Sequence, residues 1–390
     1  MRFFLAQIYD HQPISSAGTW NHVDYRPLDG FVYAVTPFNF TSIAANLPSA
    51  PALAGNTVLW KPASTAKYAA HFVMEILRKA GLPPGVINLV YGSPREVSEI
   101  ALTHHQLAGV HFTGSTKLFN TIVQRVGQGG YRSYPRVVGE TGGKNFILAH
   151  PSADLDALVT AIIRGGFEYQ GQKCSAASRV YAPKSLWPAV RERLVAGIES
   201  IAMGDIADFR NFMGAVIDQN AWRKLSAAQA EARHSADYEV ICGGSADDKV
   251  GWFVAPTLVE AKNSEAGLMK EELFGPIVTV FVYDDNRFLD TIALIDGSSD
   301  FGLTGAIFAT DIAAVSAARA GLRHAAGNFY INDKPTGAIV GQQPFGGGRA
   351  SGTNDKAGSM WNLMRWLSPR TIKETFVPPR DYRYPFMMER

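Results

Sequence analysis

The chain has 390 residues, of which 46% are hydrophobic and 18% are charged, and its formal net charge is +2. This length allows two or three domains with a large core, and the composition is that of an ordinary globular protein. The charges form no basic stripe and no apolar run reaches the roughly 18 residues of a spanning helix, so we expect neither a nucleic-acid nor a membrane partner. Only two cysteines occur, Cys174 and Cys242, which argues against a disulfide-stapled secreted protein and favours a reducing compartment.

The first region alternates short β-rich runs with amphipathic stretches. The first seven residues carry a short apolar patch that predicts an interrupted strand or helix, without the features of a signal or transit peptide. Beyond residue 30 the pattern predicts strands at 31–35, 57–60, 86–90 and 109–112, with helices at 69–80 and 116–126. Such alternation predicts a doubly wound α/β sheet.

A second region follows Glu140 and predicts another α/β domain. The pattern indicates helices at 155–167 and 187–202, and strands at 178–182, 240–242, 253–255 and 277–282. The tail from residue 371 alternates weakly, which is typical of an edge strand or an arm.

Cys174 and Glu140 are the candidate nucleophile and base. Cys174 lies in the segment 171–175, Gly-Gln-Lys-Cys-Ser, whose polar residues make a poor core segment. A cysteine thiolate attacks carbonyl carbons, and a separate carboxylate supplies the base. Glu140 lies between Gly139 and the pair Gly142-Gly143, so its backbone can turn sharply into a cleft. The alternatives are a structural cysteine, which suits Cys242 in its β-rich run, and a surface glutamate.

Three further positions follow predicted strands. Asn39 could donate its amide to a developing oxyanion, or could cap a helix. Lys61 follows the second strand, where nucleotide sites form in open α/β sheets, although a solvated lysine is the alternative. Gly114-Ser115 separates a strand from a helix whose free N–H groups suit a pyrophosphate, but no complete Gly-x-Gly-x-x-Gly is present. His104 and His105 have no accompanying ligand cluster, so we expect no metal site.

Seven segments in order resemble the aldehyde dehydrogenase superfamily over nearly the whole chain. They are Pro-Phe-Asn-Phe at 37–40, Leu-Trp-Lys-Pro at 59–62, Phe-Thr-Gly-Ser at 112–115, Glu-Thr-Gly-Gly-Lys at 140–144, Gly-Gln-Lys-Cys at 171–174, Glu-Glu-Leu-Phe-Gly-Pro at 271–276 and Pro-Phe-Gly-Gly at 344–347. Within the superfamily, the segments 167–175, 328–334, 336–345 and 351–356 are most similar to the dehydrogenases that act on 1-pyrroline-5-carboxylate (glutamate semialdehyde) in proline breakdown.

The resemblance implies NAD as the cofactor, with Lys61 and Glu272 as the two ribose contacts. The implied NAD contacts are Thr36, Lys61, Gly114, Ser115, Thr116, Lys117, Leu118, Glu272 and Phe274. A second glycine is absent from the turn at 114–119, as it often is in this subfamily. For the substrate, the resemblance implies that Ser175, Gly337 and Ala338 anchor the α-carboxylate, and that Phe40 and Phe345 are aromatic walls.

The resemblance also implies a division of the chain into parts. These are 1–25, a remnant of an amino-terminal oligomerisation arm; 26–142, the NAD-binding domain; 143–345, the catalytic domain; 346–368, a return to the NAD-binding domain; and 369–390, a carboxyl-terminal oligomerisation arm. Relatives usually carry a longer amino-terminal part, so this chain resembles a shortened form. A homo-oligomer is implied if the arm is intact, in the mitochondrial matrix of a eukaryote or the cytoplasm of a bacterium.

The implied reaction is oxidation of L-glutamate γ-semialdehyde to L-glutamate through a Cys174 thioester. Asn39 and the Cys174 backbone N–H would hold the oxyanion, and Glu140 would activate the hydrolytic water. Two alternatives stay open. One is a CoA-acylating dehydrogenase, in which a thiol resolves the thioester, and the other is a silent chain that binds NAD weakly or serves as an assembly partner.

Overall fold

The structure, a computed structural model, describes residues 1–388 and contains two large sheets flanked by helices. Within these residues, no helix combines the length and apolarity that crossing a bilayer requires. The first part of the chain comprises α1 (Arg2–Asp10), β1 (Thr19–Pro27), β2 (Phe31–Thr36), α2 (Thr41–Leu53), β3 (Thr57–Pro62), α3 (Lys67–Lys79), β4 (Ile87–Leu89), α4 (Pro94–Thr103), β5 (Leu107–Thr113), α5 (Thr116–Gly127) and β6 (Arg136–Glu140).

Strands β2 to β6 form a five-stranded sheet in the order β4-β3-β2-β5-β6, and every pairing in it is parallel. This confirms the predicted doubly wound sheet. The chain starts in the middle at β2, fills one side with β3 and β4, and then returns to the other side with β5. Ligands of open α/β sheets bind at such a switch point, beyond the carboxyl ends of the strands.

The second part of the chain builds the other large sheet. Its elements are β7 (Asn145–Ala149), α6 (Leu155–Phe167), β8 (Ala177–Pro183), α7 (Trp187–Glu199), α8 (Gln219–His234), β9 (Tyr238–Cys242), β10 (Ala246–Asp247), β11 (Phe253–Val254), β12 (Thr257–Ala261), α9 (Gly267–Lys270), β13 (Ile277–Tyr283), α10 (Phe288–Gly297), β14 (Phe301–Gly302), β15 (Thr304–Phe308), α11 (Ile312–Gly321), β16 (Asn328–Ile331) and β17 (Gly348–Arg349).

The seven-stranded sheet has the order β16-β15-β7-β8-β13-β12-β9, with only the edge strand β9 antiparallel. Predicted helix α6 is confirmed at both ends. The Asp154 side chain caps its amino terminus, because it accepts a hydrogen bond from the Ala157 N–H at 2.8 Å. The predicted strand at 253–255 is wrong in extent: β11 is two residues long and pairs only with β10. Pro256 follows at once and cannot donate to a ladder.

The chain ends with α12 (Met360–Met364) and β18 (Leu367–Thr375). Trp366 and Leu367 are fully buried and share a hydrophobic cluster with Val32 of β2 and Ile8 of α1. Helix α1 therefore packs on the unit of the five-stranded sheet. Strand β18 then pairs antiparallel with β1 over nine residues and makes a separate two-stranded ribbon.

Candidate active site

Cys174 lies on a loop with strained backbone. After α6 the chain makes a 3₁₀ turn (Glu168–Gly171) in which Tyr169, Gln170 and Gly171 have φ values of 55°, 57° and 64°. Non-glycine residues rarely adopt this region, and strain of this kind concentrates at functional sites. Gly171 cannot be replaced without a shift, because a Cβ there would lie 2.5 Å from the Gly275 carbonyl oxygen. We call residues 168–176 the nucleophile loop.

Asn145, the first residue of β7, fixes the nucleophile loop to the sheet. Its Nδ2 donates to the carbonyl oxygens of Cys174 at 2.7 Å and Ala176 at 2.9 Å. Its Oδ1 accepts from the Thr304 N–H at 3.0 Å. Gly143 leaves room for this arrangement, because a Cβ there would lie 2.6 Å from the Cys174 carbonyl oxygen. Two buried hydrogen bonds thus hold the loop, one at Cys174 itself and one two residues later.

Asn39 is buried beside the nucleophile loop. Its Nδ2 donates to the Gln172 carbonyl oxygen at 3.0 Å, and both Asn39 and Cys174 line the same cavity. Helix α2 begins after Phe40, which is its N-cap, so the alternative of Asn39 as the capping residue is wrong. An amide carries two N–H groups, so one is left for an oxyanion.

Glu140 ends β6, the edge strand of the five-stranded sheet. Although the residue is half-buried as a whole, its Oε2 is buried and has no hydrogen-bond partner among the described residues. Its Oε1 lies 2.8 Å from the point that a Cβ on Gly346 would occupy. The carboxyl group therefore sits in an enclosed space between β6 and the chain around Gly346.

Both the thiol and the carboxyl group have raised pKa values. Burial, and after it the negative charges of Glu140 and Glu272, raise the pKa of Cys174 to about 12, although hydrogen bonds from the backbone N–H groups of Ser175 and Cys174 act to lower it. Burial also raises the pKa of Glu140 well above its ordinary value, while Lys356 lowers it and Asp355 adds to the rise. A carboxylate with a raised pKa is suited to taking protons near neutral pH. Such pairs mark functional sites.

A cavity of about 1020 Å³ extends from Cys174 to the carboxyl edge of the five-stranded sheet. Its volume matches the upper range of small-molecule sites. Nine of the predicted site residues line it: Thr36, Asn39, Lys61, Gly114, Ser115, Leu118, Cys174, Glu272 and Phe274.

Lys61 and Thr36 occupy the switch-point side of this cavity. Lys61 is only 2% exposed, so the alternative of a solvated lysine is wrong. Its Nζ donates to the Pro62 carbonyl oxygen at 2.8 Å, and burial together with Lys67 lowers its pKa. Thr36 Oγ1 accepts from Trp60 Nε1 at 2.9 Å. Neighbouring parallel strands therefore bring these two side chains to one edge.

Glu272 lines the cavity from the part of the chain that builds the seven-stranded sheet. Its Oε1 accepts from the Gly143 N–H at 2.8 Å, and its Oε2 lies 2.2 Å from the position of a Cβ on Gly142. The absence of a side chain at Gly142 thus permits the carboxylate to approach. Phe274 follows with φ 61°, and its ring meets Phe38 edge-to-face at 6.0 Å. Burial raises the pKa of Glu272.

The two remaining predicted cofactor contacts lie outside the cavity lining. Thr116 Oγ1 donates to the Ala350 carbonyl oxygen at 3.3 Å, and Lys117 is exposed on the first turn of α5. Ser115 caps this helix, because its Oγ accepts from the Leu118 N–H at 3.3 Å. The free N–H groups of the first turn remain at the cavity edge.

The predicted substrate residues also lie outside the cavity lining. Ser175 Oγ shares a buried hydrogen bond of 2.7 Å with Thr336 Oγ1, immediately before Gly337 (φ 88°) and Ala338. The structure therefore brings Ser175 together with the segment 336–338. Phe40 stacks on Tyr169 of the nucleophile loop with centroids 6.0 Å apart.

Phe345 is held in place by backbone bonds to Ala357. Its N–H donates to the Ala357 carbonyl oxygen at 3.0 Å and its carbonyl accepts from the Ala357 N–H at 2.7 Å. Cys242 is buried on β9 and belongs to a hydrophobic cluster, in accordance with its predicted structural role.

Sequence reasoning missed Asn145, Thr336 and Lys356. A signal existed for Asn145, because it is a polar residue at the start of the apolar run Phe146–Ala149. Thr336 and Lys356 lie in segments that carry the family resemblance, but their partners are distant in sequence. Among residues 1–388, no group of three or more His, Cys, Asp and Glu could hold a metal ion.

The sequence profile of the Aldehyde dehydrogenase family matches residues 2–372. The chain belongs to the aldehyde dehydrogenase family. Within the family, the chain is 52% identical over 391 residues to a mitochondrial delta-1-pyrroline-5-carboxylate dehydrogenase of Dictyostelium discoideum, covering 99% of this chain and 70% of the relative. The human mitochondrial enzyme of that name is 47% identical over 387 residues, covering 98% of this chain and 69% of the relative.

A solved family structure agrees with the fold. The delta-pyrroline-5-carboxylate dehydrogenase from Mycobacterium tuberculosis, bound with NAD, superposes with a TM-score of 0.94 at 54% identity, covering 99% of this chain and 71% of that chain. The chain thus spans about seven-tenths of the length of these relatives.

Proposed function

We propose that this chain catalyses the NAD-dependent oxidation of L-glutamate γ-semialdehyde, the open form of 1-pyrroline-5-carboxylate, to L-glutamate in proline breakdown. The observation that carries the proposal is the single cavity in which Cys174 and the Asn39 amide meet the switch point of a doubly wound sheet. Relatives that are named for this substrate, at 47–52% identity, support the choice of aldehyde.

The residues at the switch point fit a dinucleotide. The cavity has the volume for a dinucleotide, and the free N–H groups at the start of α5 suit a pyrophosphate. Lys61 and Glu272 would supply a donor and an acceptor for the ribose hydroxyls. Thr36, Gly114, Ser115, Leu118 and Phe274 would complete the binding surface. When bound, NAD supplies the acceptor for the hydride that leaves the aldehyde carbon.

Cys174 is the nucleophile in this proposal. Its thiol loses a proton to water, and the thiolate sulfur bonds to the aldehyde carbon. The second N–H of Asn39 and the backbone N–H of Cys174 then hold the oxyanion, each as a fixed donor in a buried site. Loss of hydride leaves a thioester on Cys174.

Glu140 completes the cycle as the general base. It takes a proton from a water molecule that attacks the thioester, and the Cys174 sulfur leaves. The negative charge of Glu140 raises the pKa of Cys174. A base at this position favours water over CoA as the group that resolves the thioester.

The substrate carboxylate is proposed to lie against Ser175 and the backbone of Gly337 and Ala338. The hydrogen bond between Ser175 and Thr336 supports this proposal, because Thr336 immediately precedes Gly337. Phe40 and Phe345 are proposed to pack against the aliphatic carbons of the aldehyde. The half-buried Thr116 and the exposed Lys117 would act on the cofactor only through the first turn of α5.

The division of the chain remains a prediction that the two sheets support. We propose that 26–142 and 346–368 form the NAD-binding unit, that 143–345 form the catalytic unit, and that the arms 1–25 and 369–390 join copies of the chain. An isolated two-stranded ribbon is marginally stable, which favours docking of the β1–β18 ribbon on another copy. In a eukaryote we place the protein in the mitochondrial matrix, and in a bacterium in the cytoplasm.

The proposal is tested by measuring NADH formation from glutamate semialdehyde and NAD. The parent chain is expected to turn over, Cys174→Ala is expected to be inactive, and Cys242→Ala, the matched control, is expected to retain activity. Turnover by Cys174→Ala, or a requirement for CoA, would contradict the proposal. An inactive parent that still binds NAD would support the silent-chain alternative.

A further inference from the structure

The segment 351–358 is clamped across the end of β6, where the proposed base lies. The Thr141 N–H donates to the Ser351 carbonyl oxygen at 3.0 Å, and the Thr353 N–H donates to the Gly139 carbonyl oxygen at 2.9 Å. Glu140 itself forms an isolated antiparallel bridge with Gly352. We call residues 351–358 the clamp segment.

The clamp segment brings Asn354 and Lys356 to the Glu140 carboxylate. A Cβ built on Gly346 would lie 2.8 Å from Glu140 Oε1, 3.3 Å from the Lys356 backbone nitrogen and 3.4 Å from Asn354 Oδ1. All three groups therefore surround one bare glycine. Asn354 and Lys356 both have left-handed backbone, with φ values of 55° and 53°. Such strain persists only where the surroundings fix the geometry.

Lys356 has no ion-pair partner among the described residues; burial lowers the pKa of its ammonium group, and the charge of Glu140 raises it. Its Nζ donates to the carbonyl oxygens of Gly327 at 2.8 Å and Gly346 at 2.9 Å, with Asn328 Oδ1 at 3.4 Å. All three acceptors are neutral. Asp355, by contrast, forms an ion pair with Arg365 at 3.2 Å and accepts from Thr353 Oγ1 at 2.5 Å. Of these two charges, Lys356 has the larger effect on the pKa of Glu140.

We propose that Lys356 is a positioning residue of the reaction: its ammonium group, held by neutral oxygens, keeps the enclosed Glu140 carboxylate in the anionic form that takes a proton from water. This inference rests on the proposed role of Glu140 as the base. Among the described residues Glu140 Oε2 has no hydrogen-bond partner, so the charge of Lys356 would contribute to stabilising the anion. An opposite charge within about 4–6 Å typically lowers a carboxyl pKa by about 1–3.

Three charged or titratable groups act on Glu140 or share its site. Lys356 lowers the pKa of Glu140 and Asp355 raises it, both from the clamp segment. Cys174 lies opposite on the nucleophile loop, where Glu272 also acts on the thiol. Because Lys356 and Asp355 act with opposite signs, removing each charge in turn gives two effects of opposite direction.

The test follows hydrolysis of the Cys174 acyl-enzyme with p-nitrophenyl acetate, which needs no NAD. The burst of nitrophenolate reports acylation, and the steady rate after it reports hydrolysis. In Lys356→Met the pH midpoint of the hydrolysis rate is expected to rise by about one unit or more, so that hydrolysis below the midpoint slows about tenfold. Lys356→Arg is expected to restore the parent midpoint, and Asp355→Asn to lower it.

The outcomes separate this inference from the proposed function. Suppose that Glu140→Gln abolishes the pH-dependent limb, that is, the rise of the hydrolysis rate with pH, while Lys356→Met leaves the pH midpoint of that rise unchanged. The proposed role of Lys356 is then wrong and that of Glu140 stands. If the limb persists in Glu140→Gln, both are wrong. A uniform loss of rate at all pH values in Lys356→Met, with no downward shift in Asp355→Asn, indicates a structural role only and contradicts the inference.

Discussion

At the scale of one residue, the buried ammonium group of Lys144 lowers the stability of the folded chain. It is 3% exposed, and burial together with the charge of Arg179 lowers its pKa to about 7, although Glu272 partly offsets this. The charged form is therefore disfavoured in the folded chain. Below pH 7 the full loss of stability caused by burying the Lys144 ammonium is present. Between pH 7 and the lysine pKa of the unfolded chain, near 10.4, the unfolded state binds more protons than the folded state, so the free energy of unfolding rises with pH and the loss fades.

We therefore predict that Lys144→Met stabilises the fold by about 2–5 kcal/mol at pH 7, and by progressively less toward pH 10. The measurement is the free energy of unfolding in urea as a function of pH. Lys249→Met, at an exposed position, is the matched control and is expected to change little. Destabilisation by Lys144→Met at pH 7 would contradict this electrostatic account.

Asn39 gives a second prediction at this scale. Asn39→Ala removes one oxyanion donor, so turnover is expected to fall by about 10²–10³-fold. NAD affinity, followed by fluorescence titration, is expected to stay within a small factor of the parent. The control is Asn120→Ala on the exposed side of α5. An unchanged rate in Asn39→Ala would remove its amide from the mechanism.

Single residues were predictable where the local sequence is unusual. Cys174 and Glu140 stand out because glycines and polar residues flank them. Lys356 did not stand out, because its effect depends on a carboxylate more than two hundred residues earlier in the chain. Thr336 likewise acquires a role only through its bond to Ser175.

At the scale of elements, the predicted strands were sufficient to locate the residues proposed to bind the cofactor. The residues chosen at strand ends meet at one edge because β2, β3, β5 and β6 are parallel. Helix α2 was missed, since Pro48 and Pro51 lie inside it and its apolar residues lack a clear helical period. Its small side chains nevertheless pack on the sheet, with Leu47, Pro48 and Ala50 buried. Tertiary packing outweighed local propensity there.

The nucleophile loop supplies a prediction at the same scale. Gly171→Ala would place a Cβ against two carbonyl oxygens in left-handed backbone, so the loop must move. We expect a loss of about 1–3 kcal/mol in stability and, because Cys174 is displaced, a fall of about 10²-fold in turnover.

The matched control is Gly127→Ala at the end of α5, where nothing lies within 4 Å of the new Cβ. It is expected to leave turnover unchanged. Equal effects of the two substitutions, measured by thermal unfolding and NADH formation, would show that the left-handed turn does not position the thiol.

At the scale of the whole molecule, the β1–β18 ribbon is a sheet of its own, and apolar side chains next to it are exposed. Phe376 and Val377, just after β18, are 61% and 78% exposed. If they meet another copy, replacing both with aspartate is expected to weaken self-association at least about tenfold, since buried aromatic anchors contribute about 2 kcal/mol or more.

Sedimentation equilibrium over a range of concentrations measures this effect. The control is Tyr134→Asp, because Tyr134 is 97% exposed in the loop before β6. A parent chain that stays monomeric at all concentrations, or a double variant with the parent's mass, would contradict a role for the ribbon in assembly.

The thioester on Cys174 is tested most directly by trapping it in Glu140→Gln. This variant is mixed with NAD and glutamate semialdehyde, and the peptide that contains Cys174 is then analysed by mass spectrometry. We predict one burst of NADH and a glutamyl adduct that accumulates on Cys174, because hydrolysis lacks its base. Continued turnover without an adduct, or an adduct on Cys242 in place of Cys174, would contradict the proposed chemistry.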